Sequence, residues 1–254
     1  MSNRRTFIQQ AGLLTTGLII NPSAFLMKEK VVGLQLYSLR EYIGKDVSGV
    51  IAKVAAAGYK DVETYGFDPT NQFFGLSPKD FMDVLKSNGL TSTSGHYSPN
   101  DFLNGKGTDD LKYMIEGANV LNQQHLVIPY LPEEMRKSPD DYKGLAEKLN
   151  KAGELCKQSN LQLAYHNHDF EFKVWDGGLR GYDILLKETD KALVDFEMDL
   201  YWVVRSGNDP IKLFAKHPGR FKLWHVKDMD KANHKINTEV GSGTIDFKKI
   251  FAKA

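Results

Sequence analysis

The chain has 254 residues, enough for one large domain or two small ones, and its 41% hydrophobic and 26% charged content is ordinary for a soluble globular protein. The formal net charge is +1, which argues against nucleic acid as a partner, because polyanion binding needs a basic surface to neutralise phosphates. Cys156 is the one cysteine, so an internal disulfide is excluded, and it falls within a predicted helix as a small apolar residue.

Residues 1–27 read as a targeting segment. They open Asn3-Arg4-Arg5-Thr6-Phe7-Ile8-Gln9, run apolar from Ala11 to Ile20, and break at Asn21-Pro22. A charged start, an apolar stretch short for a bilayer, and a turn describe a secretory signal. The paired arginines resemble the twin-arginine export signal, which carries folded proteins and places the mature chain in the periplasm with no stable membrane span. The alternative is a basic amphipathic first helix of a cytosolic protein. No cysteine follows the apolar run, so a lipoprotein anchor is excluded. Loss of Arg4 and Arg5 with the leader takes the net charge from +1 to −1.

From residue 28 to 254 one pattern recurs: a short apolar run ends in polar or aromatic residues, and an amphipathic helix follows. Strands are predicted to start near Val31, Lys60, Leu90, His125, Leu161, Ala192 and Phe221. The pitch of about 30 residues fits one strand–helix unit each. The helices carry their own punctuation. Ser77-Pro78-Lys79-Asp80 offers an N-cap, a first-turn proline and an acid, and Asn88-Gly89 and Ala57-Gly58 are stops. Leu145, Leu149, Ala152 and Leu155 recur at helical spacing. Alternating strands and helices imply a parallel sheet covered by helices. No Gly-x-Gly-x-x-Gly follows the first strand, and polar residues end almost every strand, so a (β/α)8-type TIM barrel is favoured over an open doubly wound sheet. An eighth strand would fall at residue 255 or later, and Asp246–Ala254 reads as the start of the helix before it, so the expected barrel lacks its eighth strand in this chain.

In a parallel barrel the functional side chains gather at the carboxyl ends of the strands. His96, His166, His168 and His225 fall there, whereas His125 opens its strand. On the fifth strand, Tyr165-His166-Asn167-His168 puts His166 and His168 on one face, a spacing suited to a divalent cation; the alternative is a hydrogen-bonded pair that positions a hydroxylated ligand. On the sixth, Asp195, Glu197 and Asp199 alternate with apolar residues. Buried carboxylates need cationic partners. Lys or Arg deeper in the barrel is expected for Asp195, and a metal for Asp199. His225 and Lys227 share a face of the seventh strand. Glu63 and His96 lie near the ends of the second and third as plausible substrate contacts. The loop Glu239-Val240-Gly241-Ser242-Gly243 is weak as a phosphate cradle, because no lysine signature completes it.

These pieces together resemble the xylose-isomerase-like barrel superfamily of sugar isomerases and epimerases. The resemblance runs from Val31 to the end. It rests on Gly33-Leu34-Gln35-Leu36-Tyr37-Ser38, Tyr165-His166-Asn167-His168 followed by Glu171, Glu197-Met198-Asp199 with Trp202, Trp224-His225-Val226-Lys227-Asp228, and the Glu239–Gly243 loop. It implies a divalent ion (manganese, zinc or magnesium) at the barrel mouth, held by Asp199, by His225, and by a fifth-strand ligand that stays open among His166, His168 and Glu171. A last glutamate of the family belongs to the eighth strand, and Glu239 is not its substitute. The resemblance further implies proton abstraction next to a carbonyl, with Glu171 as a base and Lys227 assisting, and Gln35, Glu63, His96 and His166 holding a small-molecule sugar. An oligomer remains possible. Rival expectations are a metal-dependent lyase or hydrolase of keto-glycosides, an apurinic-site endonuclease, which the near-neutral charge opposes, and a non-catalytic sugar-binding relative.

Overall fold

The computed structural model describes residues 32–253; the expected leader therefore lies outside the described residues. Seven strands form one sheet in sequence order: β1 (Gly33–Gln35), β2 (Asp61–Tyr65), β3 (Thr91–His96), β4 (His125–Ile128), β5 (Gln162–His166), β6 (Val194–Asp199) and β7 (Phe221–His225). Every neighbouring pair is parallel. Each strand begins within two residues of its expected place.

The sheet curls rather than fans. His225, on the last strand, approaches Glu63, on the second, to 2.6 Å. β1 and β7 are not hydrogen-bonded to each other among the described residues. The fold is a TIM-barrel-like half-barrel of seven strands, the form of a barrel lacking one strand. β6, flanked on both sides, is buried along its whole length, whereas β7 at the edge is only partly covered. A short antiparallel pair, β8 (Asp228–Met229) and β9 (Asn237–Thr238), follows β7.

The helices wrap the outside, and local chemistry sets their ends. The first, α1 (Val47–Ala56), is capped by Asp46 and stops at Gly58, whose φ of +97° is open to glycine at little cost. In α2 (Pro78–Ser87), the Asp80 amide donates to Ser77 Oγ at 3.1 Å. α3 (Asn100–Leu103) and α4 (Asp109–Val120) precede β4. The longest, α5 (Pro139–Gln158), opens on a capping box in which Ser138 and Asp141 satisfy each other's backbone amides. α6 (Gly181–Glu188), α7 (Leu200–Arg205), α8 (Pro210–Lys216) and α9 (Phe247–Phe251) complete the set. No helix among the described residues is long and apolar enough to cross a membrane.

Strand alternation divides the side chains between two environments. Leu163 and Tyr165 on β5, and Val194, Phe196 and Met198 on β6, join the apolar core with Leu145, Leu149 and Ala152 of α5. The intervening His166, Glu197 and Asp199 face the other way. Close packing makes α5 intolerant of added bulk: a Cβ on Gly153 would fall 2.6 Å from the Leu193 carbonyl oxygen. Gly153→Ala is expected to lower stability by about 1–3 kcal/mol, read as a lower urea midpoint with an unchanged slope.

Candidate functional site

Strand register brings the polar side chains together. His166 lies opposite Glu197, Asp199 opposite His225, and Glu63 opposite Ser94. The curl then carries β7 toward β2 and β3. At the centre is Glu197 Oε2, 2.7 Å from His96 Nε2, 2.9 Å from His166 Nδ1 and 3.3 Å from His225 Nε2. Glu63 Oε2 stands beside it, 2.6 Å from His225 Nε2 and 3.2 Å from His96 Nε2. Glu63 is oriented by donors on its neighbours: Gln35 Nε2 at 2.5 Å and Ser94 Oγ at 2.8 Å.

Asp199 serves two neighbours. One oxygen caps α7 by accepting the Trp202 amide at 3.2 Å, and the other accepts Lys227 Nζ at 2.6 Å. That second oxygen also lies 3.6 Å from His166 Nε2 and 3.9 Å from His225 Nδ1. Asn167 staples β5 to β6, its Oδ1 accepting the Asp199 amide at 3.1 Å and the Tyr182 hydroxyl at 3.3 Å. The Lys227 side chain is 34% exposed and marks the solvent side of the group.

Burial and charge divide the protons unevenly. Burial raises Glu197 well above the ordinary carboxylate range, and the charge of Glu63 adds to it. Burial opposes ionisation of Glu63 too, but the charges of His96 and His225 outweigh it, so its pKa falls. Glu63 and Glu197 are thus pushed in opposite directions by burial and by the charges around them. Burial is also the largest influence on His96 and His166 and pushes both below the ordinary imidazole range. Burial also disfavours charge on His225, but Glu197 and Glu63 raise it overall.

This donor set fits a divalent cation. His96, His166, Glu197 and His225 each offer one ligand atom, and the four atoms lie within 4.8 Å of one another. Imidazole nitrogen with one carboxylate oxygen is chemistry that zinc and related ions accept. His225 Nδ1 is buried with no hydrogen-bond partner, so that ring has coordinating capacity to spare.

The expected ligands were Asp199 and His225, with Glu171 and His168 put forward on the fifth strand and His166 left open beside them; His166 and His225 belong to the four that converge. Asp199 stands beside them, engaged by Lys227. Glu171 is turned away. Tyr165, on the β5 face opposite His166, donates to Glu171 Oε1 at 2.7 Å, and the His168 amide donates to Oε2 at 2.9 Å. Glu171 thus ties down the turn after β5, both its oxygens engaged by Tyr165 and the His168 amide. His168 instead packs among rings, its centroid 5.1 Å from His166, 5.3 Å from Trp202 and 5.4 Å from both Tyr130 and Phe170. Gln35, Glu63, His96, His166 and Lys227 all reach the group. Glu197 and Ser94 carry site roles that the sequence reading did not assign, although alternation with Asp199 put Glu197 on the right face. Asp195 is 3.6 Å from His125 Nε2 at the opposite end of the strands, a histidine in place of the expected Lys or Arg.

The comparisons identify the family and the fold. A family described as Xylose isomerase-like TIM barrel matches residues 51–254. The chain belongs to that family. It is similar to a sugar phosphate isomerase/epimerase from Parabacteroides distasonis ATCC 8503, at 31% identity and a TM-score of 0.76, covering 88% of this chain and 81% of that one. It spans about half the length of the first curated relatives it matches. One, an inosose dehydratase of Clostridium tetani (strain Massachusetts / E88), is 31% identical over 145 residues, 51% of this chain and 48% of that protein. The IOLI protein, solved with a zinc atom bound, shares the fold at 13% identity and a TM-score of 0.68, covering 87% of this chain and 83% of that one.

Glu171 gives the site's surroundings a testable pH signature. Burial pushes its carboxyl up to about 8 against the Tyr165 bond that lowers it, so the folded chain keeps a proton there that the unfolded chain releases near 4.5. Between those values the native state binds more protons, and this group's contribution to stability falls as pH rises. Urea titrations from pH 5 to 8 should show Glu171→Gln losing part of that decline, while the parent retains it.

Proposed function

We propose that this chain is a divalent-metal-dependent enzyme acting on a sugar or keto-sugar, removing the proton from the carbon beside a carbonyl as an isomerase or epimerase does. The observation that carries the reading is the convergence of His96, His166, Glu197 and His225 on one point, with Glu63 alongside. His96, His166, Glu197 and His225 would hold a divalent ion, which would supply Lewis acidity. Glu63 is the carboxylate we assign as the base: Gln35 and Ser94 fix its two oxygens beside the cluster, where His225 contacts it at 2.6 Å. Lys227, held by Asp199 and open to solvent, faces charge that develops on a substrate oxygen.

Dehydration is the second reading, favoured by the similarity to inosose dehydratases. It begins with the same proton removal and then expels a hydroxyl from the next carbon, so it asks the same work of Glu63.

Metal content and solvent exchange test both. The purified chain should bind a divalent ion stoichiometrically, and Glu197→Gln and His225→Ala should each weaken that binding at least tenfold. In deuterated water a panel of keto-sugars and inososes should take up deuterium beside the carbonyl. Glu63→Gln should slow that uptake by roughly 10²–10⁴-fold with metal retained. A parent chain that binds no metal sinks the proposal. A retained carbon skeleton with inverted or shifted oxygens identifies an isomerase or epimerase; loss of water identifies a dehydratase.

The reading includes export, supported by Arg4-Arg5 ahead of the apolar run. The parent should be exported and the variant with both arginines replaced by lysine should stay in the cytoplasmic fraction; a parent already in the cytoplasm would argue for a cytosolic enzyme, and a variant still exported would argue against the twin-arginine route.

A further inference from the structure

The amino ends of the strands, opposite the cluster, hold polar groups that the proposed chemistry does not use. A cavity of about 630 Å³ lies there, within the usual size of a small-molecule site. Gln124 and His125 at β4, Gln162 at β5, Asp195 at β6, Lys222 at β7 and Lys157 of α5 line it. Asp195 alternates with Glu197 and Asp199, so this is the far end of the same sheet face. In a barrel that end ordinarily serves stability, through groups that satisfy one another.

Here they do not. Asp195 is 8% exposed, yet its carboxylate accepts no hydrogen bond among the described residues. His125 Nε2 stands 3.6 Å from Asp195 Oδ2, beyond hydrogen-bond reach. Asp61, as deeply buried at the same end of β2, shows the satisfied alternative: it accepts the Thr91 and Thr93 hydroxyls at 2.6 Å each. Lys157 and Lys222 are exposed and form no ion pair among the described residues. The side-chain amides of Gln124 and Gln162 are likewise without a hydrogen-bond partner among them.

The charges around the cavity narrow the occupant. A bare cation suits Asp195 but is repelled by two lysines, and a simple anion suits the lysines but is repelled by Asp195. A molecule that carries a hydroxyl on one part and an anionic group on another satisfies both. We infer that this cavity is a second binding site, for a small hydroxylated organic anion. A hydroxyl donates to the Asp195 carboxylate beside His125, the anionic group meets Lys157 and Lys222, and the Gln124 and Gln162 amides take further hydroxyls. The site stands apart from the chemistry at the cluster and does not depend on it.

Calorimetry on the full chain, with D-gluconate, D-glucose 6-phosphate, D-glucose and inorganic phosphate as probes, tests this without turnover. Gluconate or glucose 6-phosphate should bind one-to-one and roughly tenfold more tightly than glucose or phosphate, the two arms telling a carboxylate from a phosphate. Replacing Lys157 and Lys222 together by alanine should remove most of that advantage, at exposed positions where folding is not at stake. Asp195→Asn should weaken the hydroxylated anion about fivefold while leaving inorganic phosphate no weaker. Lys151→Ala, exposed on α5 and outside the cavity, and His225→Ala, at the other end of the strands, should change neither. All four probes binding alike, no binding of gluconate and glucose 6-phosphate, or binding that survives the lysine replacements but is lost in His225→Ala overturns the site.

Discussion

The Glu197 carboxyl is the constraint from which the site is built. It is nearly inaccessible to water, and an unpartnered ion there would cost several kcal/mol even after relaxation. Three imidazoles from β3, β5 and β7 answer that cost, and Glu63 from β2 competes for the same partners. The result is a close pair of carboxyls surrounded by nitrogen donors that a cation can share. Each participant belongs to a different strand, so the group can exist only if the sheet curls enough for β7 to meet β2.

The surroundings hold that arrangement in place by satisfying its backbone. Asn167 bonds the Asp199 amide across the β5–β6 boundary, and Asp199 in turn caps α7 and holds Lys227. Glu171 does comparable work from behind β5, tying Tyr165 to the backbone of His168. Farther along, Asp228 accepts the amides of Gly241 and Gly243 at 2.9 Å, which makes the glycine-rich loop a structural turn folded onto one carboxylate. A Cβ on Gly243 would collide with that carboxylate, so the glycine is needed for close approach and not for a phosphate.

Most of the fold was legible in the residues because its determinants are local. Strand starts followed from apolar runs, helix ends from Ser77, Gly89 and Gly58, and the shared face of Asp195, Glu197 and Asp199 from simple alternation. The site was legible only in outline. Glu171 lies five residues beyond His166 and reads in sequence as a natural ligand, yet one turn of chain, Phe170–Phe172, sets it on Tyr165 and the His168 amide. His168 shares the periodicity of His166 but has left the strand, so its ring is free to join Tyr130 and Trp202.

The sequence by itself determined the strand–helix alternation, the polar strand ends and the set of residues from which a site could be drawn, because these depend on neighbours a few positions apart. Tertiary structure decided which of them meet. Glu63 and His225 are 162 residues apart, and no local pattern reports their 2.6 Å contact. The pairing depends on register between strands and on the curl of the whole sheet. Those are set by packing across the core, which is why Glu197 came to the centre and Glu171 did not.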